Sequence, residues 1–117
     1  MSPAVAIAVA LAGGLGAVAR MTLDRSVTAR AGVRFPWGIV VVNMSGAFAL
    51  GVLTGADLGE DASWILATGL VGAYTTFSTW MVDSRALALG PRSANLLGSL
   101  ALGLAAVWLG RELGGLL

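Results

Sequence analysis

The sequence predicts an all-α membrane protein of four transmembrane helices, the third broken near its middle. Three observations lead there. The 117 residues are 57% hydrophobic and 11% charged, whereas a soluble domain carries about 25% charged residues. A chain this short cannot hide so much apolar surface in its own core, so lipid is the solvent left for it. Four segments approach the roughly 20 mostly apolar residues that a spanning helix needs. The third of them carries a run of hydroxyls beside glycines, at a depth where lipid offers no hydrogen-bond partner.

The first span, 3–22, is apolar without a basic stretch ahead of it, so it reads as a membrane helix rather than a cleaved signal. Gly13, Gly16, Ala17 and Arg20 fall on one of its faces. A polar connection with Asp24, Arg25, Arg30, Arg34 and Pro36 leads to the second span, 37–54, where Asn43, Gly46, Ala47 and Gly51 share a face. An acidic connection with Asp57, Glu60 and Asp61 precedes the third span, 63–82. Asp83, Arg85, Gly90, Pro91 and Arg92 separate it from the fourth, 94–109, with its stripe of Asn95, Gly98, Ser99, Gly103 and Ala106. One transmembrane domain therefore accounts for residues 1–117. Faces of small residues let backbones approach closely where packing drives helix association. So many of them on thin helices predict an oligomer.

The arginines set the orientation. Arg20, Arg25, Arg30, Arg34, Arg85 and Arg92 lie on the side of the first and third connections, and only Arg111 lies opposite. The positive-inside rule puts those connections in the cytoplasm and both termini outside.

What is missing narrows the function. There is no cysteine or histidine, so thiolate chemistry and the usual proton shuttle are excluded. A net charge of +1 argues against a nucleic-acid partner. No nucleophile–base pair or phosphate loop is present, so no enzyme is expected. The acids Asp24, Asp57, Glu60, Asp61, Asp83 and Glu112 lie near segment ends. Proton-coupled transport needs a titratable group within the membrane. That counts against a small four-helix drug/proton antiporter, the competing reading. A non-conducting membrane assembly subunit is a third.

Polar groups at depth carry the positive reading. Asn43 sits mid-helix, where an unpaired amide is costly. It either glues helices together or faces a wet cavity. In "GLVGAYTTFSTW", 69–80, the residues Tyr74, Thr75, Thr76, Ser78 and Thr79 surround Phe77. Gly69 and Gly72 weaken the helix there, and irregular backbone at membrane depth is tolerated only inside protein or around water. Freed carbonyls can hold a cation. Amides, hydroxyls and the positive edges of aromatic rings can hold a small anion. Arg20 either raises anion concentration in a vestibule or anchors a helix end by snorkelling.

"GGLGAVAR" (13–20), "WGIVVVNMSGAFALG" (37–51) and "GLVGAYTTFSTW" (69–80) occur in order. Together they closely resemble the CrcB/Fluc family of fluoride channels over essentially the whole chain. The resemblance implies an antiparallel, dual-topology-type dimer in a bacterial-type inner membrane, exporting fluoride passively through two narrow pores. Asn43 matches the pore-lining asparagine, Phe77 the first ring of the Phe-box and Ser99 the pore serine. Thr76, Ser78 and Thr79 would lie along or beside the ion path. The Gly72 and Thr75 carbonyls match a structural Na⁺ site at the dimer interface. Departures are Trp80 for the second ring, Asn95 where a tyrosine is common, Met21 for an aromatic and Asp83 for a glutamate. The arginine bias predicts one orientation per chain, hence a heterodimer with an oppositely biased second subunit. A homodimer stays open.

Overall fold

The computed structural model describes residues 1–117. Four helical stretches are long and apolar enough to cross a membrane: Pro3–Ala31, Trp37–Ala56, Glu60–Arg85 and Leu89–Gly114. α1 (Pro3–Ala31) starts where Ser2 caps it, its Oγ accepting the Val5 amide at 3.2 Å, with proline in the first turn. It ends at Gly32, whose φ of +83° suits glycine alone. α2 (Trp37–Ala56) follows Pro36 and stops at Asp57 in the left-handed region.

The third span is composite. α3 (Glu60–Ser63) opens it, a π-helical segment (Trp64–Val71) continues it, and α4 (Gly72–Tyr74) closes its first half. At Thr75 the chain turns extended, with φ −80° and ψ 158°. α5 (Ser78–Arg85) then resumes the helix. The break lies within the expected hydroxyl run, three residues beyond Gly72. The π-helical stretch had no signal in the sequence. Such segments occur frequently at functional sites. α6 (Leu89–Gly114) completes the chain.

The helices outrun the apolar spans. Asp24, Arg25 and Arg30, expected in a connection, extend α1, while Asp83 and Arg85 lie in α5 and Gly90 to Arg92 in the first turn of α6. Apolarity marks what lipid covers. A helix continues for as long as its backbone bonds close, and charged residues are no obstacle to that. Arg92 stops α5 from the far side of the turn. Its Nε donates to Ser84 O at 3.2 Å, and its Nη2 to Arg85 O at 3.1 Å and Leu87 O at 2.9 Å. Carbonyls left over at a helix end are thereby satisfied.

Small residues set the packing. α2 lies chiefly against α6, and α1 against the π-helical segment, α4 and α2. A Cβ on Gly16 would collide with the Leu70 carbonyl, and one on Gly51 with the Val107 carbonyl. The stripe expected in the fourth span, Asn95 to Ala106, lies on the packed side of α6, but the closest approach to α2 comes further along it. Gly98 has open space around it, whereas Gly110 and Gly114 meet the α2 backbone at Phe48 and Val52. Only 15 of 117 residues are buried, and Leu11, Leu15, Leu97, Leu104 and Trp108 are more than half exposed. A chain this bare of its own core is a multi-pass membrane protein, with lipid or another subunit around it.

Candidate functional site at the break of the third span

A helix that stops at membrane depth leaves amides and carbonyls to satisfy. In an unbroken helix the Thr76 amide would bond the Gly72 carbonyl. Here it donates to Asn43 Oδ1 at 2.9 Å, and Asn43 Nδ2 donates back to the Thr76 carbonyl, also at 2.9 Å. The amide side chain thus pairs with one residue's backbone as a neighbouring strand would. Asn43 Nδ2 has a second hydrogen with no partner in the chain. The Thr76 side chain restarts the helix. Its Oγ1 accepts the Thr79 amide at 3.2 Å, in the manner of an N-cap, and donates to Thr79 Oγ1 at 3.2 Å.

Carbonyls stay uncommitted at the break, those of Gly72 and Thr75 among them. Thr75 has only its amide and its own hydroxyl engaged, both to Val71 O, so its carbonyl has no partner. None of the amides of Thr75, Thr76 and Phe77 reaches the Gly72 carbonyl. These are the two oxygens that the resemblance pairs with Na⁺.

A groove of about 300 Å³ brings Asn43, Thr75, Thr76, Phe77 and Trp80 together. Phe77 is 71% exposed, so its ring stands on the surface of the single chain. It meets Trp80 edge-on, with centroids 5.6 Å apart and planes at 65°. Trp80 itself is buried, and its Nε1–H is spent on the Asn95 carbonyl at 3.4 Å.

The remaining expected residues lie apart from this groove. Thr79 and Arg20 line a separate open cleft of about 410 Å³, with Met21, Asp24 and Ile39. Arg20 and Thr79 therefore share one cleft. Ser78 is exposed, and its hydroxyl makes no hydrogen bond. Ser99 is half-buried on α6 and donates to Asn95 Oδ1 at 3.4 Å.

Sequence reasoning missed two features. Ser84, 1% exposed, links Trp80 O and Asn95 Nδ2, both at 2.7 Å. Its only signal was its place four residues after Trp80, on the same helical face. Tyr74 Oη lies 2.7 Å from Ser45 Oγ, a pairing with no signal, because the two come from different spans.

A family model described as "CrcB-like protein, Camphor Resistance (CrcB)" matches residues 7–111. Among curated relatives, a protein of Mycobacterium tuberculosis named fluoride-specific ion channel FluC 2 is 45% identical over 115 residues, covering 95% of this chain and 91% of that one. One of Leifsonia xyli, named fluoride-specific ion channel FluC 1, is 47% identical over 124 residues, covering 99% and 90%. One of Acidobacterium capsulatum, named fluoride-specific ion channel FluC, is 46% identical over 115 residues, covering 91% and 92%.

Proposed function

The chain belongs to the CrcB-like family, and from that premise we propose that it forms a fluoride-selective passive channel that lowers cytoplasmic fluoride. The observation that carries this reading is the groove at the break. There a spare Asn43 N–H and an edge-on aromatic pair meet with no titratable side chain in the lining. A small anion stripped of water needs donors in its place. Amide hydrogens, hydroxyls and ring edges supply them without taking up a proton. The names of the relatives supply fluoride as the ion. Anions would enter by the Arg20 cleft, pass the hydroxyls of Thr76, Ser78 and Thr79, and use Asn43, Phe77, Trp80 and Ser99 as path residues.

A single chain leaves this path half-walled. The exposed Phe77 ring fits an antiparallel second subunit that closes the groove. The arginine bias favours a different family chain in that place, and relatives numbered FluC 1 and FluC 2 agree with paired subunits. The uncommitted Gly72 and Thr75 carbonyls are hard oxygen donors, suited to an alkali cation between the subunits. Bound there, Na⁺ supplies a fixed positive charge at membrane depth. The assembly sits in a bacterial-type inner membrane with both termini of this chain outside.

The test is efflux from fluoride-loaded liposomes, followed with a fluoride electrode. The chain alone and the chain with a second family member are compared. Rapid efflux only with the second chain is expected. Rapid efflux from the chain alone replaces the heterodimer by a homodimer. No efflux from either preparation removes the channel and leaves a non-conducting assembly subunit. Efflux that demands a proton gradient points to the antiporter.

A further inference from the structure

Trp80 stands where a smaller ring would do, and an indole brings a strong N–H donor beside a path proposed for anions. The structure shows what holds that donor. Trp80 Nε1–H donates to the main-chain carbonyl of Asn95 at 3.4 Å, and the Asn95 side-chain Nδ2 donates to Ser84 Oγ at 2.7 Å. Ser84 Oγ donates in turn to the Trp80 carbonyl at 2.7 Å. The three bonds form a closed loop through Trp80, Ser84 and Asn95, joining α5 to α6. All three residues are buried, with Ser84 1% and Asn95 2% exposed. No buried side-chain polar atom in the loop lacks a partner.

We propose that Ser84 and Asn95 are positioning residues that lock the Trp80 indole, keeping its N–H away from the anion path and its ring edge-on to Phe77. The proposal rests on the channel reading for its consequence, but not for the loop itself. An indole held at its backbone and at its ring nitrogen cannot turn about its side-chain torsions. Free to turn, it would offer the N–H to a passing anion and narrow the groove that it shares with Asn43 and Phe77. A donor that binds a halide too tightly slows its exit, because conduction needs sites weak enough to leave. Ser84 and Asn95 touch no ion. They act through Trp80.

The experiment joins an exchange measurement with a flux measurement on the assembled channel. The Trp80 indole N–H resonance is assigned by its loss in Trp80→Phe, and its hydrogen exchange is followed in wild type, Ser84→Ala and Asn95→Leu. Asn95→Leu keeps the branched shape of the side chain and favours the helix, so a result survives if Ser84→Ala misfolds. Slow exchange in wild type and faster exchange in either variant is expected: both variants keep the main-chain carbonyl of residue 95 that accepts the indole N–H, but lose the side-chain bonds that fix it. Fluoride and chloride efflux are then measured for the same variants in wild-type and Trp80→Phe backgrounds. We expect a fluoride loss of about fivefold, the scale of one net hydrogen bond, with chloride still excluded because the freed ring narrows the groove. Ser84→Ala should cause no further loss once residue 80 is phenylalanine, whereas Asn95→Leu keeps a residual loss there because it also strips Ser99 of its acceptor. Fast exchange in wild type overturns the proposal whatever the flux. Equal losses in both backgrounds overturn it too, since the hydroxyl would then be merely structural. Wild-type assemblies that carry no fluoride overturn the channel reading and with it the role of the loop, a result distinct from either.

Discussion

Asn43→Asp changes one atom of the side chain and tests most of the physics at the break. The Thr76 amide keeps its acceptor, because Oδ1 remains 2.9 Å away. The other contact inverts. Nδ2 becomes an oxygen facing the Thr76 carbonyl at 2.9 Å, two acceptors with no hydrogen between them. Orphaning that carbonyl costs about 1–3 kcal/mol, and a carboxylate at the centre of a membrane helix costs about 2.5–3.5 kcal/mol by insertion measurements. The carboxyl has one escape, which is to take a proton and restore the donor. From an ordinary carboxylate pKa of about 3.9, protonation at about pH 7 costs roughly 4 kcal/mol at 1.36 kcal/mol per unit. That cost caps the penalty. Charged, the side chain repels the anion, and neutral, it is available only at that cost. Fluoride efflux from liposomes should therefore fall by at least about a hundredfold, with an upper bound near a thousandfold. Circular dichroism and size-exclusion elution serve as controls for helicity and assembly. Efflux within about twofold of wild type, with both controls unchanged, refutes the reasoning, since one net hydrogen bond alone is worth more than that.

Phe77→Ile removes a positive ring edge but keeps apolar bulk, so efflux should fall by about two- to tenfold while assembly on size exclusion is kept, an aromatic edge contact being worth about 0.5–1.5 kcal/mol. Arg20→Gln should slow efflux a few-fold at low ionic strength and hardly at all at high salt, because charge steering is screened beyond about 10 Å at 0.1 M. A salt-independent loss would assign Arg20 to helix anchoring. Gly51→Val places side-chain carbon against the Val107 carbonyl of α6, and overpacking of this kind costs about 1–3 kcal/mol. It should lower the thermal midpoint in detergent, whereas Gly98→Ala, which meets open space inside α6, should hold or raise that midpoint, alanine being the better helix former.

Much of this was legible in the residues. Apolarity along a chain reports directly on the solvent it needs, so four spans could be read without a fold. Gly69 and Gly72 beside the hydroxyls from Thr75 to Thr79 announced a break, because those side chains compete with the helix for its own backbone. The small-residue faces of α1 and α2 were readable at Gly16 and Gly51, since periodicity puts them on one side. That of α6 was readable as a face, but not its closest contacts at Gly110 and Gly114, because periodicity does not give the height at which another helix crosses.

Asn43 shows where such reading stops. Sequence left two uses open, glue or cavity lining, and the fold gives it one bond each way to Thr76 with one hydrogen to spare. That assignment depends on α2 and the break lying at the same depth, and nothing local to Asn43 encodes it. Ser84 and Asn95 are the same case, eleven positions apart and joined only because the turn that Arg92 caps folds α6 back along α5. The sequence by itself determined which solvent the chain needs, how many times it crosses and where its helix fails, for these follow from composition and from bonds between near neighbours. Only the tertiary structure decided which side chain repairs that failure and which ring nitrogen is spent, because hydrogen bonds between spans depend on distances that a linear order does not carry.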